Sequence, residues 1–292
     1  MYELYQVGEN SFYIDCPAKM GVYRVAPDEA VLIDSGNDRE AGKKVLKIFD
    51  AQGWRLKAIY NTHSNADHIG GNRLLADRTG CAVYGAEIEN AFTRDPVLEP
   101  SFLFGGYPPK ELRSKFLMAQ PSSPQPLTPE TLPPGMSSFS LPGHFFGMVG
   151  FATDDGVCFL ADCLSGENIL EKYHVSFIYD VAAYLETLDR VEKMQARMFV
   201  PAHAPAAADI GPVVRANREK VCEVAARITA LCRAPQTFEE VLRQVFQSYD
   251  LKMDFAQYAL VGSTVKSYLA WLHDTGKIQA RFEDGRLLWQ AV

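Results

Sequence analysis

Short apolar runs separated by turn residues open the chain. Phe12–Ile14, Val22–Val25 and Ala30–Ile33 are rich in β-branched and aromatic residues and read as strands, the last stopping sharply at Asp34-Ser35-Gly36. The apolar period then changes. Val45, Leu46, Ile48 and Phe49 share one stripe, which predicts a helix capped by Asp38, running to about Gln52 and closed by Gly53. Leu56–Tyr60 is a further strand, Asn72–Thr79 a short helix ended by Gly80, and Cys81–Tyr84 another strand. Strands alternating with helices predict a layered α/β domain. Residues 90–140 break the rhythm: aromatic first, then proline-rich, with six of the 17 prolines between Pro121 and Pro134. That segment reads as a long irregular excursion, either a lid or binding loop or a cover over an edge. Regular patterning resumes with a hairpin, Gly147–Ala152 and Val157–Leu160 around Asp154-Asp155-Gly156. A helix over Asp180–Gln195 and a buried strand at Met198–Val200 follow.

Beyond Gly211 the texture is helical. Val213–Cys232, Thr237–Ser248 and Asp254–His273 predict three helices, and Lys277–Arg281 with Arg286–Gln290 flank Glu283-Asp284-Gly285 as a hairpin. Three helices and a two-stranded wing are the layout of a winged helix. The expected division is therefore a catalytic domain over 1–211 and a winged-helix-like domain over 212–292.

Composition narrows the class. The 292 residues are 47% hydrophobic and 22% charged, an ordinary globular balance that excludes a mostly disordered chain. No run approaches the ~18 apolar residues of a membrane span, and MYELYQVGENSFYIDC lacks a basic start and an apolar core, so no secretory signal is read. Six cysteines without a CxxC pair read as reduced thiols, hence a cytoplasmic protein. A net charge of −7 disfavours nucleic acid as the main partner. The C-terminal region is nearly balanced, with 11 Lys and Arg against 9 Asp and Glu. Its candidate recognition helix exposes little beyond Lys266, because Val261, Val265, Leu269 and Leu272 are spaced to be core. It reads as a packing element or a homodimer contact, with RNA cleavage kept as a lesser alternative.

The chemistry sits in the histidines. Of six, four lie in short loops after apolar strands: His63 and His68 in THSNADHIGG, His144 in LPGHFFG and His203 in VPAHAP. Asp67 precedes His68, and Asp162 follows a strand in FLADC. Strand-end loops gather distant residues at one edge of a sheet, and imidazole with carboxylate is the donor set that zinc takes.

These motifs, THSNADHIGG then PGH, AD and PAH, resemble the metallo-β-lactamase-fold hydrolase superfamily and its HxHxDH, H, D and H pattern, over roughly residues 8–205. The resemblance implies a four-layer αββα sandwich with a metal site at one edge of two sheets. It places His63, the residue at position 65 and His144 on a first ion, and Asp67, His68 and His203 on a second, with Asp162 bridging. Asp34 matches an acidic residue that supports the ligands from behind. One position departs: the second histidine of the pattern is Asn65, and an amide oxygen is the poorer zinc ligand. Three readings stay open. Asn65 ligates weakly in a two-zinc site, the site holds one ion, or iron or manganese is preferred.

By the same resemblance, a metal-bound hydroxide attacks a small-molecule ester, thioester, lactone or amide, since bound metal lowers the pKa of water from about 15.7 to roughly 7. Asp67 would orient the nucleophile and carry a proton. Tyr173, His174 and Tyr179 are candidates for protonating the leaving group, Tyr173 and His174 foremost, and Cys163 reads as a small core residue. Three rivals remain: a persulfide dioxygenase-like enzyme holding one iron on His63, His144 and Asp162, a nucleic-acid-processing or binding protein using the wing, and a degenerate metal-binding protein without catalysis.

Overall fold

A computed structural model describes residues 2–292 and orders them as two stacked sheets with helices on both outer faces. The first sheet has seven strands in sequence order: β1 (Glu3–Gln6), β2 (Ser11–Asp15), β3 (Met20–Ala26), β4 (Glu29–Ile33), β5 (Arg55–Tyr60), β6 (Ala82–Gly85) and β7 (Gln125–Pro126). β1 to β4 pair antiparallel; from β4 onward the pairing is parallel, carried by crossover helices. Alternation along each strand separates the layers. In β4, Ala30 and Leu32 face α1 (Arg39–Gln52), while Val31 and Ile33 face the second sheet. Asp38 caps α1 by accepting from the Glu40 and Ala41 amides, and Gly53 closes it at φ 69°, both as expected.

After α2 (Ala66–Ile69), α3 (Asn72–Thr79) returns the chain to β6. The glycine pair between these helices is dictated by space. A Cβ on Gly70 would lie 2.3 Å from the Asn37 carbonyl carbon, and one on Gly71 would lie 2.3 Å from the Ser35 carbonyl oxygen. The motif loop thus presses directly on the turn that carries Asp34.

The second sheet holds β8 (Met136–Ser140), β9 (Val149–Thr153), β10 (Val157–Ser165) and β11 (Met198–His203) in the order β11-β10-β9-β8. The β9–β10 hairpin turns at Asp154-Asp155-Gly156, as read from the sequence. β10 runs farther than expected, through Asp162 to Ser165, but its pairing with β11 shifts around Ala161, whose φ is +50°. That irregularity places Asp162 at the edge of the sheet.

The segment 90–140 contains more regular structure than its composition suggests: α4 (Glu87–Arg94), α5 (Leu98–Phe104) and then β7 and β8. Pro100 fits α5 because it lies in the first turn, where the backbone N–H has no helical partner to lose. α6 (Glu167–Tyr173) follows β10, and α7 (Val181–Val191) ends short of Gln195 because Lys193 and Met194 close it with i→i+3 turns.

α8 (Gly211–Leu231), α9 (Phe238–Ser248) and α10 (Phe255–Asp274) lead into a two-stranded hairpin, β12 (Ile278–Glu283) and β13 (Arg286–Ala291). One cluster of buried side chains runs from Leu160 and Phe199 on the second sheet through Val214, Val221 and Ile228 of α8 to Val265 and Leu269 of α10. Val261 and Leu272 are buried with them. Asn217 on α8 accepts from the Ser165 amide at 3.0 Å and donates to the Ser165 carbonyl at 2.8 Å, clamping the end of β10. The whole is a four-layer αββα sandwich with a helical C-terminal region. No helix among the described residues is long and apolar enough to cross a membrane.

Candidate metal centre

Six residues, two from α2 and four from loops or strands, converge where the two sheets open. Ligand-type atoms of Asp67, His68, Asp162 and His203 lie within 4.8 Å of one another, and so do those of His63, His144 and Asp162. Asp162 belongs to both groups. Its carboxylate lies 3.0 Å from His68 Nε2, 3.1 Å from His203 Nε2, 3.6 Å from His144 Nε2 and 4.0 Å from His63 Nε2. Asp67 adds a second carboxylate 3.4 Å from His203 Nε2 and stands at the opening, 43% exposed.

All four imidazoles are held the same way, by Nδ1. His68 Nδ1 donates to Asp34 at 2.8 Å, His144 Nδ1 to the Phe177 carbonyl at 3.1 Å, and His203 Nδ1 to the Pro17 carbonyl at 3.0 Å. Thr62 gives its hydroxyl proton to Asp34, so its oxygen is left to accept from His63 Nδ1 at 3.0 Å. Every Nε2 therefore points inward, and the outer partner fixes the ring. Asp34 is the hub: it also accepts from the Thr62 amide at 2.8 Å and holds a backbone φ of +62°. That left-handed conformation is tolerated by aspartate better than by most residues.

Three of the inward atoms have no hydrogen-bond partner. His63 Nε2, His68 Nε2 and Asp162 Oδ1 are buried without a hydrogen bond, although His68 and Asp162 are only 3.0 Å apart. Buried polar atoms are almost always satisfied. Imidazole nitrogens and carboxylate oxygens that converge on a common point are the donor set a divalent cation takes, displacing any protons they hold.

Charge divides the cluster. Burial favours neutral His68 and His203, but Asp162 and Asp67 outweigh it, holding His68 well above the usual imidazole range and His203 up to about 10. Burial and the neighbouring His68 push His63 well below that range, and burial pushes His144 down as well. Burial opposes ionisation of Asp162, but His203 and His68 hold its carboxyl well below the carboxylate range.

Asn65 lies at the head of α2 with Oδ1 3.2 Å from His144 Nε2, so the departure from the histidine pattern still faces the cluster. Its Nδ2 donates to Glu99 Oε1 at 2.9 Å. Glu99 on α5 and Glu89 on α4 are buried carboxylates that the sequence reading misses. Glu89 accepts from the Ser64 amide at 2.9 Å, its hydroxyl at 2.6 Å and the Gly147 amide at 2.6 Å, tying the two histidine loops together. Acidic residues within apolar runs, AEIENAF and VLEPSF, were the available signal.

Tyr173 and His174 are not among the side chains whose contacts with the cluster are described. α6 winds the segment after Asp162 so that its end turns to the C-terminal helices. The His174 ring stacks on Tyr249 at 4.8 Å, and Tyr173 is exposed with the Lys172 ammonium over its ring. Neither side chain hydrogen-bonds to a cluster residue among the described residues. Tyr179 packs its ring on Phe146 at 4.2 Å, part of an aromatic wall with Phe102 and Phe145 beside the histidines. Cys163 is fully buried, and burial pushes its thiol far up, as a core residue requires.

Comparison with known proteins agrees with this geometry. The chain is similar over 99% of its length to a beta-lactamase domain protein from Burkholderia ambifaria, at 16% identity and TM-score 0.74, covering 94% of that chain. A metallo-beta-lactamase family protein from Thermus thermophilus matches at 19% identity and TM-score 0.74, covering 99% of this chain and 98% of the other. Both likenesses take in the C-terminal helices and concern the fold. Among curated proteins, a hydroxyacylglutathione hydrolase of Methylococcus capsulatus is 55% identical over 42 residues, 14% of this chain and 16% of that protein. One of Erythrobacter litoralis is 43% identical over 54 residues, 17% of this chain and 22% of the other. The chain thus matches less than a quarter of the length of these two relatives. Residues 14–203, well over half of the chain, match the profile of the Metallo-beta-lactamase superfamily, and to that superfamily the chain belongs.

Proposed function

We propose that the chain is a metal-dependent hydrolase of a small-molecule ester, thioester, lactone or amide. The observation that carries this reading is the set of four imidazoles fixed through Nδ1, with Nε2 converging on the carboxylates of Asp162 and Asp67. His63, Asn65, His144 and Asp162 would hold a first ion, and Asp67, His68, His203 and Asp162 a second, zinc being the ion this donor set suits best. When bound, such ions make water acidic enough to be a nucleophile near neutral pH and polarise the carbonyl under attack. The chain supplies the rest. Asp34, Thr62, Phe177 and Pro17 hold the rings. Asp67, kept ionised by His68 and His203 against burial and facing the opening, accepts a hydrogen bond from the attacking water and can take its proton. The aromatic wall of Phe145, Phe146 and Tyr179 keeps one side of the site dry.

Local similarity to hydroxyacylglutathione hydrolases makes a thioester the first substrate to test. Residues 212–292 are proposed to be a winged-helix-like element whose role is packing, since the apolar face of α10 is buried. Six free thiols accord with a cytoplasmic site of action. A second reading rests on the triad His63, His144 and Asp162, which would suit one iron in a dioxygenase. The test is elemental analysis of protein grown without added metal, followed by hydrolysis assays on a panel of thioesters, lactones, esters and amides. Two zincs with turnover lost in His203→Ala support the proposal. One iron, with oxygen uptake on a persulfide and no hydrolysis, overturns it in favour of the second reading.

A further inference from the structure

We infer that Glu99 is a positioning residue: it orients the Asn65 amide so that Oδ1, rather than Nδ2, is delivered to the first metal position beside His144. This inference rests on the metal-centre reading above and adds a determinant that the motif residues do not contain. His144 poses the problem. Its Nδ1 donates to the Phe177 carbonyl at 3.1 Å, which leaves Nε2 in the neutral ring as a lone pair. Asn65 Oδ1, also only an acceptor, stands 3.2 Å from that lone pair. Two acceptors facing each other repel, so the arrangement needs a reason outside the pair.

One reason is Glu99. A carboxyl group keeps an acceptor oxygen in either protonation state, and although burial and the neighbouring Asp67 raise the Glu99 carboxyl well above the usual range, Oε1 receives the amide NH2. Asn65 Nδ2 donates to Glu99 Oε1 at 2.9 Å, and the planar amide then has its oxygen on the opposite side, towards the cluster. The other reason is the destination. Two donor atoms on one zinc, each ~2.0–2.2 Å from it, lie about 3–3.5 Å apart, and the Oδ1–Nε2 separation falls in that range. The repulsive contact becomes a pair of ligands once a cation lies beside both.

Glu99 is itself firmly held. It is buried on α5, whose Leu103 packs with Leu112, Leu117 and Ala259 of α10. The C-terminal helices therefore reach the first metal position through α5, Glu99 and Asn65. The sequence replaces an imidazole by an amide, and the fold supplies a carboxyl group that takes the amide's NH2 edge and leaves its oxygen towards the cluster.

Titration with Co2+ or Zn2+ in chelator buffer, reading stoichiometry and the Co2+ ligand-field absorption, tests this. Removing an outer partner of a metal ligand commonly costs 10–100-fold in affinity. Glu99→Leu is expected to weaken the first position by about that factor while leaving the second unchanged. Glu99→Gln, which keeps an acceptor for Nδ2, is expected to restore most of the loss. In an Asn65→Ala background, Glu99→Leu is expected to do nothing further. Asn65→Leu, which does not disturb residue 99, is expected to weaken the first position as much as Glu99→Leu. Unchanged first-position affinity and spectrum in either Glu99→Leu or Asn65→Leu overturns the inference. Equal losses from Glu99→Leu with and without Asn65 also overturn it, because Glu99 would then act directly. Wild-type protein that takes up no divalent ion at all would instead sink the metal-centre reading beneath it.

Discussion

On one side of Asp162 lie Asp67, His68 and His203; on the other lie His63, Asn65 and His144. The first group is built of ion pairs, with two imidazoles held protonated by two carboxylates. The second is neutral, its imidazoles kept uncharged by burial and its third member an amide. One fold edge thus offers two pockets of opposite electrostatic character around a shared carboxylate. A cation entering the charged side must displace protons, whereas one entering the neutral side meets free lone pairs but weaker total charge. Counting ligands therefore does not rank the two positions; their protons and outer partners must be counted too.

Removing the shared element tests the comparison most severely. Asp162→Ala should strip both positions and abolish hydrolysis, because it also leaves His68 and His203 without their main counter-charge, a loss of about 3–5 kcal/mol for a broken buried pair. Elemental analysis after gel filtration reads it, and retention of either ion would show that the halves do not share Asp162. Next comes pH. With His203 protonated up to about 10 and His68 also raised, loading the charged side expels up to two protons. Affinity there should rise with pH by up to about 100-fold per unit across the neutral range, at tenfold per proton released. The neutral side should change little, since His63 and His144 have pKa values below their ordinary range. Metal titrations at several pH values would reveal parallel slopes if this contrast is false.

Asp34→Asn keeps a residue that tolerates the left-handed backbone but weakens the acceptor for His68. It should cost the charged side about 10–100-fold in affinity and the neutral side less, since His63 is reached only through Thr62. Equal losses on both sides would mark Asp34 as a general scaffold residue. The smallest effect should come from Asn65→His. The new imidazole can donate Nδ1 to Glu99 and present Nε2 inward, tightening the neutral side by about tenfold, roughly 1.4 kcal/mol. Chelator-buffered titration would show no change if residue 65 does not reach the ion.

Much of the centre is legible in the sequence, because its candidate ligands are polar residues stranded between apolar strands and glycine. His63, His68, His144, Asp162 and His203 stand out against their flanks for that reason. Their outer partners do not. Phe177 and Pro17 act through backbone carbonyls, which every residue carries and no side chain announces. Glu99 and Glu89 act from helices inside a stretch whose aromatics and prolines read as irregular. Strand alternation in β4 and β10 reveals the layering, since Val31 and Leu32, or Leu160 and Phe159, necessarily face opposite sides. The length of β10 and the direction of α6 are hidden, because a bulge at Ala161 and a packing partner at Tyr249 are matters of tertiary context.

The Asn217 clamp has a bearing on how the molecule comes apart. Its amide meets both the N–H and the C=O of Ser165, the same two groups a neighbouring strand would meet. One side chain of α8 thereby impersonates a length of β-sheet on the side of β10 turned away from β11, three residues past Asp162. Loosening of α8 by heat, denaturant or a nick near Gly211 would free that end before the sheets themselves separate. Loss of metal would then be the first symptom of unfolding, and a chelator that traps the released ion would make an early, reversible breath of the helices irreversible.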